Sequence, residues 1–166
     1  MNPTLAILCV EDELEVLDSI IRDLEMFEDV FQLEAATSVN DALSIMNRLQ
    51  ENDIPIALFI CDHLMPEKTG VDFLIEMNQI PAYKSSSKML LTGQAGLDDT
   101  VKALNLGGLD YYLAKPWKRD EFQQIVNKLL TDFVIKKVKN LLPFMSVLDA
   151  EKLSNAMRDS NTLTDF

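Results

Sequence analysis

The chain has 166 residues, 48% hydrophobic and 25% charged, with a formal net charge of −12. That length fits one domain with a sizeable core and a short appendage. The acidity argues against a nucleic-acid surface, which needs clustered Lys and Arg, and against an anionic membrane. No run reaches the length of a membrane span, and Met1-Asn2-Pro3-Thr4 lacks the basic region of a signal peptide, so the expected location is cytoplasmic.

Short apolar runs alternate with helical patterns along the chain. Residues 5–10 read as a buried strand that ends on Glu11-Asp12. Leu14, Leu17, Ile20 or Ile21, and Leu24 then recur at helical spacing. Residues 31–36 are a second, weaker strand. Ser38 with Asp41 three residues on is a helix-start signal, and Ala42, Leu43, Met46 and Leu49 give that helix an apolar face. Residues 56–61 are the third strand, with Asp62 at its end, followed by His63-Leu64-Met65-Pro66. Residues 70–78 form a short helix carrying Val71, Leu74 and Met77, and residues 81–87 a polar loop. Residues 88–91 are the fourth strand, closing on Thr92-Gly93. Residues 98–106 form a helix stopped by Gly107-Gly108. Residues 110–114 are the fifth strand, followed by Lys115-Pro116, and the pattern is helical again from Arg119.

Five strand–helix units imply an α/β fold with helices on both faces of a parallel sheet and right-handed crossovers. The leading expectation is a flavodoxin-like, doubly wound, five-stranded sheet in the order 2-1-3-4-5. Strands one and three are then neighbours, so Glu11, Asp12 and Asp62 converge at the carboxyl edge, where Thr92 and Lys115 also end. Carboxylates crowded there repel one another, and a hard divalent cation such as Mg²⁺ relieves this. Lys115 can meet a phosphoryl oxygen, Thr92 can donate to another, and a carboxylate can itself serve as the nucleophile. Cys9 and Cys61 read as reduced, buried, small hydrophobes. With His63 the sole histidine, a thiolate–imidazole metal site is not expected.

Leu8-Cys9-Val10-Glu11-Asp12, Cys61-Asp62-His63-Leu64-Met65-Pro66, Leu91-Thr92-Gly93 and Ala114-Lys115-Pro116-Trp117 together resemble the receiver domain of two-component response regulators, over roughly residues 4–132. The resemblance implies that Asp62 accepts a phosphoryl group from a histidine kinase or histidine phosphotransfer protein. It also implies a Mg²⁺ ion bound by Asp12 and Asp62, with Glu11 acting through water or as a neighbouring ligand and the Leu64 carbonyl completing the set. Thr92 and Lys115 would hold the phosphoryl oxygens, and Tyr112 matches the family's switch aromatic. Leu64 and Gln94 stand where side chains tune dephosphorylation in the family, and apolar Leu64 is expected to limit water access and lengthen the phosphorylated lifetime. Tyr111 serves as the opposite-facing control for Tyr112. Trp117 is expected to pack rather than to react, and His63 to shape its loop or an interface.

A receiver should end near residue 132, leaving residues 133–166 as a helical extension for dimerisation or for linkage to an output domain. Leu130, Val134, Val138 and Leu141 continue a helical stripe, so the last helix is expected to run to Leu142, before Pro143, with a further helix starting at Asp149. The exposed stripe needs a partner, with a homodimer ranked ahead of an output domain or self-packing. Lys136, Lys137 and Lys139 read as a solvated helix face near a C-terminus. No complete DNA-binding or catalytic output domain fits in this length, so a single-domain regulator or the front of a longer protein is expected. No separate turnover activity is expected either. Two alternatives are a pseudo-receiver scaffold that is never phosphorylated and an Asp-nucleophile phosphohydrolase. The latter usually carries an acid two residues after the nucleophile, where this chain has Leu64.

Overall fold

The computed structural model describes residues 4–93 and 97–164. Five strands, β1 (Leu5–Val10), β2 (Phe31–Ala36), β3 (Ile56–Asp62), β4 (Ser87–Thr92) and β5 (Tyr111–Ala114), pair in parallel in the order β2-β1-β3-β4-β5. The helices are α1 (Leu14–Leu24), α2 (Val39–Glu51), α3 (Gly70–Gln79), a single turn α4 (Pro81–Lys84), α5 (Leu97–Leu106), α6 (Arg119–Lys137) and α7 (Ala150–Thr164). The order expected from the strand–helix alternation is the one observed. It places the ends of β1 and β3 side by side.

The central strands are apolar because both of their faces are covered. Ile7 and Cys9 face α1 and α6, while Ala6, Leu8 and Val10 face α2 and α3. Cys9 and Cys61 therefore lie on opposite faces of the sheet, both buried as free thiols, and burial pushes both thiols up. A register shift between Ala6 and Ile7 turns Ala57 and Leu58 to the same face of β3. The Ser38 side chain accepts from the Asp41 N–H, as the helix-start signal predicts. Some helical faces differ in detail from the periodic reading: Leu14 and Leu43 are exposed, and Val39 and Ile45 complete the buried face of α2. Residues 81–84, expected as loop, form one helical turn that opens with proline at its first position.

The extension departs from expectation more sharply. Helix α6 ends at Lys137 rather than Leu142, because Val138 is extended (φ −110°, ψ 130°). The chain then folds back on its own domain. Leu141, Phe144, Leu148 and Leu153 are buried in the α1–α6 core, and Phe144 packs on Phe31, ring centroids 5.5 Å apart. Asn127 Nδ2 donates to the Val147 carbonyl, and Asp149 N–H donates to Thr131 Oγ1. The stripe at Leu130, Val134 and Leu141 is thus buried within the chain. The reason to assign it to a homodimer is gone, since self-packing removes its apolar surface from water. Asp149 does cap α7, its Oδ1 accepting from the Lys152 N–H. Lys136, Lys137 and Lys139 are exposed.

Candidate functional site

All five strands point their carboxyl ends to one edge, where three loops carry the expected chemistry. Glu11 follows β1, and its carboxylate is fully buried. Asp62 closes β3, also buried. Lys115 follows β5 and bridges the two, its Nζ donating to Glu11 Oε2 at 3.1 Å and Asp62 Oδ1 at 3.0 Å. Glu11 also accepts from the Glu13 N–H through Oε1 at 3.3 Å. Burial and then the neighbouring Asp62 charge push the Glu11 carboxyl up to about 7, against the pull of Lys115. Burial works against the Lys115 ammonium, but its hydrogen bonds to Asp62 and Glu11 outweigh that and raise it.

Asp12 completes the cluster. One ligand oxygen from each of Glu11, Asp12 and Asp62 lies within 4.8 Å of the others. Asp12 Oδ1 is buried without a hydrogen-bond partner among the described residues. A carboxylate oxygen left unpaired costs free energy unless something else meets it. Three oxygen donors, one of them unpaired, form a set that a hard cation fits.

Thr92 ends β4 beside this cluster and is buried, with the Lys115 N–H donating to its carbonyl at 3.0 Å. Leu64 follows in the β3–α3 loop with its side chain 62% exposed. Tyr112 is half-buried against the α3–α5 side of the core, whereas Tyr111 is turned outward. Gln94 lies outside the described residues. Trp117 packs, its ring stacked on Phe122 at 5.5 Å and its indole N–H donating to Asp23 Oδ2.

Several residues at this edge and elsewhere on the sheet were not singled out from sequence. Gly70 is the nearest to the chemistry: a Cβ there would lie 2.1 Å from the Asp62 carbonyl oxygen, and its N–H donates to the His63 carbonyl at 2.9 Å. The close approach of α3 to the Asp62 backbone thus requires glycine. The available signal was Thr69-Gly70, a cap followed by a residue poor in a helix interior. Asp23, which holds Trp117 and pairs with Arg119, carried no signal because its partners lie some hundred residues away. Lys88 is a fully buried lysine in β4, its Nζ donating to the carbonyls of Tyr83, Lys84 and Ser86. Burial lowers it to about 8, with Asp110 opposing. A lysine inside an apolar strand was visible, but its three acceptors were not.

A doubly wound parallel sheet that gathers three carboxylates and an ammonium at its carboxyl edge defines an α/β protein with an acidic, metal-competent site. The chain belongs to the response regulator receiver domain family, whose model matches residues 7–127. It is 28% identical over 79% of its length to the hydrogenase transcriptional regulatory protein HoxA of Bradyrhizobium diazoefficiens, covering 25% of that protein. It is 29% identical over 75% of its length to the transcriptional regulatory protein CiaR of Streptococcus pneumoniae, covering 50%. The chain thus spans half or less of these relatives. Among solved structures, the signal receiver domain of an HD domain-containing protein from Pseudomonas fluorescens superposes with a TM-score of 0.68 at 26% identity, over 78% of this chain and 96% of that one. A CheY-like receiver from Methanospirillum hungatei gives 0.66, also at 26% identity, over 78% and 95%. Among the described residues no helix is long and apolar enough to cross a membrane.

Proposed function

We propose that Asp62 is the phosphoacceptor of a signalling receiver, phosphorylated by a histidine kinase or a histidine phosphotransfer protein in a Mg²⁺-dependent reaction. The observation that carries this reading is the shared lysine: Lys115 holds Asp62 and Glu11 together while an oxygen of Asp12 stays unpaired beside them among the described residues. Asp62 supplies a carboxylate oxygen that forms a bond to phosphorus, and the phosphorus–nitrogen bond of the donor phosphohistidine breaks, returning the electron pair to imidazole. Asp12, Asp62, the Leu64 carbonyl and, directly or through water, Glu11 would hold Mg²⁺. Bound there, the ion supplies charge neutralisation for the phosphoryl oxygens. Lys115 trades its contact with Asp62 Oδ1 for a phosphoryl oxygen, and Thr92 donates to another.

Phosphorylation adds about −1.5 to −2 charges at neutral pH. Thr92 moves toward the new oxygens, and Tyr112 turns into the space behind it. The surface altered is α5, β5 and α6. Leu104 and Leu106 on α5 and Tyr111 on β5 are exposed there, so a downstream protein, a second copy or a linked output domain would meet this face rather than the buried tail. Residues 1–132 act as the receiver and residues 133–166 as its helical extension, in a cytoplasmic setting.

Incubation with Mg²⁺ and acetyl phosphate, followed by intact-mass measurement, tests the reading. A single phosphoryl adduct that is absent in Asp62→Asn supports it. A folded wild type with no adduct favours the pseudo-receiver scaffold. Multiple turnover of phosphate esters favours the phosphohydrolase.

A further inference from the structure

His63 follows the proposed phosphoacceptor and is almost fully buried. Its backbone is pinned twice: its N–H donates to the Leu91 carbonyl at 3.2 Å, and its carbonyl accepts from the Gly70 N–H at 2.9 Å. The ring is thereby rooted in the Asp62 loop. From there it reaches across 36 positions of sequence to α5, its Nε2 lying 3.3 Å from Asp99 Oδ2. An ionised carboxylate only accepts, so Nε2 carries the proton of this hydrogen bond.

Burial alone does not account for a histidine here. The other ring nitrogen, Nδ1, is buried without a partner among the described residues. An apolar side chain of similar size would avoid that cost. What histidine supplies, and an apolar residue does not, is the reach to Asp99. The two ends of α5 are also held differently. At its C-terminal end, Asn78 Nδ2 donates to the Leu106 carbonyl at 3.0 Å, and Gly108, in the left-handed region (φ 62°), leaves no room for a Cβ beside the same Asn78. In its first turn, the Asp99 carboxylate that meets His63 is half-exposed. The ring is pinned to the Asp62 loop, so a change in that loop acts directly on this bond, whereas the Asn78 contact lies at the far end of the helix.

We propose that the His63–Asp99 hydrogen bond tethers the first turn of α5 to the Asp62 loop and holds α5 in its unphosphorylated position. His63 is then a positioning residue, and the proposal rests on Asp62 being the phosphoacceptor. Release of the tether lets α5 pivot about its anchored C-terminal end and reshapes the α5–β5 face. A contact present in one state and absent in the other sets the balance between them, and ligand affinity must answer to it reciprocally.

Trp117, the sole tryptophan, lies two residues from Lys115 and gives a fluorescence signal for titration with beryllofluoride, a phosphoryl mimic, in Mg²⁺. His63→Phe and Asp99→Ala should each bind the mimic about threefold to tenfold more tightly than wild type, the size of one hydrogen bond. Both should also speed amide exchange in α5 before the mimic is added. The double variant should bind no more tightly than the better single one, because both changes remove the same contact. Unchanged or weakened binding, or additive effects, would overturn the tether. Asp99→Ala alters a half-exposed side chain and carries the test if His63→Phe does not fold. A wild type that takes no beryllofluoride overturns the phosphoacceptor reading and the tether with it. Wild-type binding with unaltered variants overturns the tether alone.

Discussion

The two edges of one sheet are built on opposite principles. At the carboxyl edge, polar groups are buried with unmet needs: Glu11 is held up to about 7, and Asp12 Oδ1 and His63 Nδ1 lack partners among the described residues. At the amino edge of β2, Phe31 meets Phe144, and Leu141, Leu148 and Leu153 join the same apolar cluster. One edge gives up stability to hold charges together, and the other recovers it by burying apolar surface. The extension is part of that second edge, so the chain is stabilised by a segment remote from the acids.

The comparison breaks most visibly if either edge does the other's work. Asp62→Asn should abolish the phosphoryl adduct entirely while leaving the denaturant midpoint near or above that of wild type, since it removes one of three crowded acids. A large fall in midpoint would mean that Asp62 is structural. Phe144→Ala should do the reverse, costing about 3 kcal/mol in urea unfolding with adduct formation intact under folding conditions. Loss of adduct in the folded variant would show the tail to be coupled to the acids.

Gly70→Ala tests where the edges meet the scaffold. Its methyl group would collide with the Asp62 carbonyl, so about 2 kcal/mol of stability and much of the phosphorylation rate should be lost together, measured on one preparation.

Lys88 supplies a pH test on the same sheet. Its folded value, about 8, lies below the ordinary value near 10.5. Between those values the unfolded chain holds a proton that the folded chain does not, so stability rises with pH through this window. The penalty is present in full below about pH 8. The contribution should amount to about 3 kcal/mol, read as the difference in pH dependence between wild type and Lys88→Met. Parallel curves would assign the buried ammonium no penalty. The smallest expected effect is kinetic: Leu64→Asn should shorten the lifetime of the phosphorylated form about threefold, a change of roughly 0.7 kcal/mol in the barrier, followed by adduct decay. Equal lifetimes would reject shielding by Leu64.

Much of this arrangement was legible before folding. The run from Leu5 to Val10 followed by Glu11-Asp12, and the third strand ending on Asp62, fixed both the alternation and the place of the acids, because a parallel strand buried on both faces must be apolar until it reaches its edge. Ser38 and Asp149 announced their helices through capping, which is local chemistry. The course of the chain after Lys137 was not legible. Helical periodicity continues through Val138 and Leu141, and only docking against Phe31 and α1 turns the chain away.

The sequence by itself determined the strand–helix alternation and placed Glu11, Asp12, Asp62, Thr92 and Lys115 at the carboxyl ends of the strands, since each of these follows from spacing within a few positions. Tertiary structure alone decided that Lys115 bridges Glu11 and Asp62, that Gly70 must lack a side chain, that Lys88 finds three carbonyls, that His63 reaches Asp99, and that the tail covers its own domain. Each of these depends on groups brought together from distant positions. A one-dimensional pattern records what a residue is able to do, whereas the packed chain determines which partner is within about 3 Å of it.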